Sequence, residues 1–137
     1  VAVMQVPAEE TSRYGVVDPA DRGHDGDDRL HKVRGLVEKP APGSAPSDLA
    51  IIGRYVLTPK IFEKLEQTSR GAGGEIQLTD AIMALMAEQD VYAYEFEGTR
   101  YDAGTTMGWL KASVELALER PDIGAEFRSY LASVDLR

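Results

Sequence analysis

Short runs rich in β-branched residues alternate along this chain with stretches of helical periodicity, and glycine or proline separates most of them. Strands that recur with helices between them build an α/β sheet with helices packed on it. Residues 1–6, 14–18, 32–38, 49–57 and 91–96 have the apolar or alternating pattern of strands. In the last of these Tyr92, Tyr94 and Phe96 share one face. Thr58 and Pro59 read as an N-cap and a first helical position, followed by an apolar face of Ile61, Phe62 and Leu65. Thr79 is a candidate N-cap for a helix lined by Ile82, Leu85 and Met86. Met107, Leu110, Val114 and Leu118 mark a long helix that Pro121 stops, and Ile123, Phe127 and Leu131 mark a final one.

The stretches between these elements are polar or small. Residues 7–13 and 41–48 read as loops. Residues 21–29, built of Asp, Gly and Arg, predict a hairpin loop or a poorly ordered insertion. Gly71-Ala72-Gly73-Gly74 reads as a flexible linker or a loop whose bare backbone approaches a ligand. The chain opens as a strand already in progress, with Val1 where an initiator methionine would stand, so a further segment upstream is expected. An upstream strand would also leave an exposed sheet edge in this chain. No internal repeat or second domain is visible, and residues 1–137 read as a single domain.

Charge narrows the partners. The formal net charge is -8 and the sequence pI about 4.7. A nucleic-acid binder would carry a basic stripe, and an anionic membrane would repel such a chain. A small phosphorylated ligand needs only a local positive site. With no cysteine, disulfides and thiolate metal sites are excluded, which fits the cytoplasm. No apolar run reaches the length of a membrane span, and the opening residues lack a signal-peptide pattern. Asp25, Asp27 and Asp28 lack the spacing and terminal glutamate of a calcium loop. His24 and His31 have no partner spacing and read as surface residues.

One stretch carries chemistry: Val37-Glu38-Lys39-Pro40. Pro40 removes a donor and disfavours helix at Lys39. In an extended segment Glu38 and Lys39 point to opposite faces, so they address different parts of a ligand. A carboxylate accepts several hydrogen bonds and suits sugar hydroxyls. A lysine is a compact point charge and suits a phosphate. Two solvated charges at a strand end is the plainer reading of the dipeptide alone.

Taken in order, Arg13-Tyr14-Gly15-Val16-Val17, Val37-Glu38-Lys39-Pro40, Gly53-Arg54-Tyr55-Val56, Gly74-Glu75-Ile76-Gln77-Leu78-Thr79-Asp80 and Arg100-Tyr101-Asp102-Ala103-Gly104 resemble the sugar-1-phosphate nucleotidyltransferases. The match is to the C-terminal half of such an enzyme. It implies part of a three-layer α/β/α Rossmann-like nucleotidyltransferase fold with a mixed sheet. It implies a reaction in which UTP and glucose 1-phosphate give UDP-glucose and pyrophosphate, with Mg2+ as cofactor. It also implies a cytoplasmic enzyme that forms homo-oligomers.

By the same resemblance Gly15 borders the sugar, Glu38 holds its hydroxyls, and Lys39 contacts its phosphate and is the catalytic candidate. Asp102 is one of two magnesium aspartates, although a carboxylate at a helix start is routine. Gly104 lets the backbone turn closely there, and Glu75 and Gln77 lie in a substrate- or subunit-contact segment. The family's glycine-rich nucleotide loop and its other aspartate have no counterpart in residues 1–137, so the base specificity is not legible and the chain alone is expected to be inactive. Another nucleotide or sugar, or a non-catalytic module that keeps the fold, are the alternatives.

Overall fold

A computed structural model describes residues 1–71 and 74–135, so Ala72 and Gly73 of the glycine-rich segment lie outside the described residues. The chain falls into two compact units, one of Val1–Glu97 and one beginning at Gly98.

The first unit holds five strands: β1 (Ala2–Gln5), β2 (Gly15–Pro19), β3 (Leu30–Glu38), β4 (Leu49–Ile51) and β5 (Tyr92–Glu95). It also holds two helices, α1 (Lys60–Gln67) and α2 (Leu78–Leu85). The strands close on themselves in the order β1-β4-β2-β3-β5. The sheet is mixed, because β1 runs antiparallel to β4 and parallel to β5. The expected bare edge is therefore not there: β1 has a neighbour on each side.

Alternation along the strands fills the interior with Val3, Val17, Val33, Leu36, Leu49 and Ala93. Helix α2 packs Ala81, Ile82 and Leu85 onto the same core. Leu49, Ile82 and Leu85 are fully buried, each contributing about 1.5–3 kcal/mol of apolar transfer. Helix α1 adds only Ile61 as a buried residue; Phe62 is 68% exposed, contrary to the expected apolar face.

Several local expectations are corrected. Ala8–Arg13 is a 3-10 helix rather than a loop, its Thr11 buried with the hydroxyl bonded to the Ala8 carbonyl at 2.7 Å. The expected strand over 49–57 stops at Ile51, because Gly53 at φ 77 turns the chain out of the ladder. Thr58 does not cap α1; its hydroxyl donates to Gln89 Oε1 at 2.9 Å. Thr79 does not cap α2 either, since it lies inside the helix and Gln77 holds the cap position.

His31 is 1% exposed, not a surface residue. It accepts the Gly23 N–H at Nδ1 (3.1 Å) and lies 2.7 Å from Glu95 Oε1 through Nε2. The β3 alternation turns it inward, and its partner comes from β5, far along the sequence. Residues 21–29 form an ordered hairpin loop, closed by reciprocal backbone bonds between His24 and Asp27.

The second unit holds α3 (Thr106–Glu119) and α4 (Gly124–Ser133), packed on each other. Gly124 is buried against α3: a Cβ there would stand 2.5 Å from the Leu118 carbonyl oxygen. No helix among the described residues is long and apolar enough to cross a membrane.

Candidate functional site

Strands β2 and β3 are paired so that Gly15 lies opposite Glu38. A Cβ on Gly15 would meet Glu38 Oε2 at 3.0 Å, Thr79 Cγ2 at 3.2 Å and Ile51 Cδ1 at 3.4 Å. Crowding, rather than backbone conformation, favours glycine here. The half-buried Glu38 carboxylate fills that space. The Thr79 hydroxyl donates to its Oε2 at 3.2 Å. Among the described residues this is the only hydrogen bond the carboxylate has, and it has no ion-pair partner. Tyr55 belongs to the same surroundings: burial first, and then the Glu38 charge, push its phenol pKa up, so it stays a neutral donor.

Lys39 breaks the extended pattern that the sequence predicts. Its φ is +45°, a left-handed conformation that costs a non-glycine residue about 1–2 kcal/mol. The Lys39 N–H donates to the Tyr14 carbonyl at 3.0 Å, which fastens this turn to the start of β2. Pro40 behind it is buried, while the Lys39 side chain is exposed and has no ion pair among the described residues. Strain of this kind often marks a side chain that is being aimed. The Glu38 carboxylate, with one oxygen unbonded among the described residues, thus lies over Gly15, and the next residue, Lys39, carries an exposed ammonium with no ion pair among them.

Asp102 belongs to the second unit. It lines an open cavity of about 270 Å³ with Arg100, Tyr101, Thr105, Met107, Gly108 and Lys111. The N-cap of α3 is Thr105, whose Oγ1 accepts the Gly108 N–H at 3.1 Å. Asp102 is therefore not the capping carboxylate. Its Oδ1 accepts the Gly104 N–H at 3.2 Å, and it forms no ion pair among the described residues. A Cβ on Gly108 would fall 2.0 Å from the Asp102 carbonyl oxygen, so the helix start presses directly on this loop. No cluster of three or more His, Asp or Glu that would hold a metal alone occurs among the described residues.

The structure brings Gly15, Glu38 and Lys39 together and adds two residues to them. Thr79 was legible only as a helix cap, because nothing in the sequence ties it to a carboxylate 41 positions away. Tyr55 lay inside the Gly53-Arg54-Tyr55-Val56 quartet, but no role for it was evident there. Glu75 is exposed, and Gln77 serves α2 as its N-cap residue.

The family model described as "Nucleotidyl transferase" matches residues 1–119. The UTP–glucose-1-phosphate uridylyltransferase of Streptococcus pneumoniae serotype 4 is 54% identical over 131 residues, 96% of this chain and 43% of that protein. The UTP-bound UGPase from Acinetobacter baumannii superposes with a TM-score of 0.84 at 40% identity, over 98% of this chain and 45% of that one. A UDP-glucose pyrophosphorylase solved in complex with UDP-glucose gives a TM-score of 0.76 at 42% identity, over 88% of this chain and 44% of that one. This chain therefore spans less than half the length of the relatives it matches. A family match over 1–119 and these identities show that the chain belongs to the nucleotidyltransferase family and has its α/β fold with a mixed sheet.

Proposed function

We propose that this chain is the sugar-phosphate-binding portion of an enzyme that makes UDP-glucose and pyrophosphate from UTP and glucose 1-phosphate. The observation that carries the reading is the Gly15–Glu38–Lys39 arrangement: a carboxylate and, on the next residue, an ammonium, neither with an ion-pair partner among the described residues. The names of the relatives supply the substrates.

In this reading Glu38 accepts hydrogen bonds from glucose hydroxyls and Gly15 lets the sugar approach the β2 backbone. Lys39 pairs with the sugar phosphate and acts as the catalytic cation. An oxygen of that phosphate attacks the α-phosphorus of UTP in line. The new P–O bond forms as the bond to the leaving pyrophosphate breaks. No residue here is required as a covalent carrier, so catalysis is positioning and charge neutralisation.

Asp102 fits a magnesium ligand. One oxygen is engaged only by a backbone N–H, and magnesium commonly takes one or two carboxylates with water and phosphate oxygens. When bound, the ion would neutralise phosphate charge. Homo-oligomer formation belongs to the same reading and is supported by Met107, Trp109, Leu116 and Tyr130, each more than half exposed on α3 and α4. So does a cytoplasmic location, supported by the absence of cysteine.

The test is a chimera. Fused to the N-terminal segment of the S. pneumoniae relative, the chain releases pyrophosphate from UTP and glucose 1-phosphate, and Glu38→Gln in the fusion impairs that release. A folded, inactive fusion whose chain still binds the sugar phosphate would favour the non-catalytic alternative.

A further inference from the structure

We infer that Thr79 is a positioning residue for sugar recognition: its hydroxyl holds Oε2 of Glu38 and so commits Oε1 to the ligand. The inference rests on the reading above that Glu38 takes the sugar hydroxyls.

Thr79 lies in the first turn of α2, where a threonine ordinarily bonds to backbone of its own helix. Here the helix has no side-chain cap, and the Thr79 hydroxyl reaches instead across to β3. Thr79 is 5% exposed, so the hydroxyl has little access to water and the bond to Glu38 satisfies it. Its methyl group does a second task. Cγ2 stands 3.2 Å from where a Gly15 Cβ would lie, and closes the floor under the carboxylate.

A free glutamate samples many rotamers, and fixing it costs binding free energy. The Thr79 hydroxyl removes part of that cost before the ligand arrives. It also takes up part of the acceptor capacity of Oε2, which leaves Oε1 the less engaged oxygen. A sugar then meets one oriented acceptor, and an epimer with a displaced hydroxyl meets it badly. This is the asymmetry by which a site built to hydrogen-bond a hydroxyl rejects an analogue that misplaces it.

The experiment is calorimetric titration of the 137-residue chain with glucose 1-phosphate, galactose 1-phosphate and inorganic phosphate. Thr79→Val keeps the shape and removes the hydroxyl; Thr79→Ser keeps the hydroxyl and removes the methyl. Thr79→Val should weaken glucose 1-phosphate about tenfold and narrow its preference over galactose 1-phosphate. Inorganic phosphate, held through Lys39, should bind as before. Thr79→Ser should recover most of the affinity and the preference. Should the valine variant lose its fold, as read by thermal melting, Thr79→Ala takes its place.

Wild-type affinity and preference in the hydroxyl-free variant overturn the inference. So does a serine variant as impaired as the valine one, because packing rather than the hydroxyl would then matter. A wild-type chain that binds no glucose 1-phosphate overturns the reading under Proposed function, and this inference falls with it.

Discussion

Glu38 is half-buried, and among the described residues its one hydrogen-bond partner is a neutral hydroxyl. A ligand with hydroxyl donors would supply the partners this carboxylate lacks among the described residues. Glu38→Gln should therefore weaken glucose 1-phosphate binding by roughly 1.5–3 kcal/mol, the worth of a charged hydrogen bond, while sparing inorganic phosphate. Lys39→Ala should act through the phosphate instead, lowering affinity for every sugar phosphate and for phosphate itself. Titration calorimetry with both ligands separates the two, and equal, small losses on all ligands from both changes would show that neither role is right. Much of this pair was legible in the sequence. A proline ends β3 and an acid and a base stand just before it. The left-handed turn at Lys39 was not legible, because it is imposed by the bond from its N–H to Tyr14. Thr79 was hidden for a similar reason: a helix-start threonine has a local explanation that conceals a tertiary one. Asp102 belongs to this scale too. Asp102→Asn keeps its shape, and in the chimera it should raise the magnesium concentration needed for turnover without lowering the melting temperature. An unchanged metal requirement would leave it a loop residue only.

At the scale of elements, packing and ion pairs decide what pattern alone left open. The first strands were readable because β-branched residues alternate there, and α3 because its apolar spacing is long. Strand β4 was over-read, since an apolar run does not reveal that Gly53 turns the backbone out of the sheet. His31 was misplaced because its partners, Gly23 and Glu95, come from a hairpin loop and another strand. Helix α1 illustrates a further limit. It buries one residue, and Lys60 and Lys64 fasten it to Glu88, just beyond α2. The two ammonium groups, Lys64 first, hold the Glu88 carboxyl down at about 2, from an ordinary 4.5. The folded value lies below the unfolded one. The bridge therefore stabilises above the ordinary value, and the stabilisation fades as pH falls from about 4.5 towards 2. Glu88→Gln should lower the melting temperature at neutral pH by a small, salt-sensitive amount, and the gap to wild type should close as pH falls through this window. A gap that stays constant with pH would rule out the ion pair as its source.

For the whole molecule the chemistry sets the limit. Attack on the α-phosphorus needs the triphosphate held in line and its charge neutralised. Residues 1–137 contain no glycine-rich loop followed by basic residues to do this. The chain by itself should therefore release no pyrophosphate from UTP and glucose 1-phosphate in a coupled assay. Turnover by the chain would show that it holds a complete site. Loss of activity need not mean loss of fold, because among the described residues each of the five strands has a neighbour on both sides. The central claim is that these residues bind the sugar phosphate, and backbone NMR of the labelled chain tests it most directly. Glucose 1-phosphate should shift the amides of Gly15, Glu38, Lys39 and Thr79 together, and UTP should leave those of Gly15, Glu38 and Thr79 in place. Shifts scattered over the surface, or the same four amides answering to UTP and not to the sugar phosphate, would contradict the account.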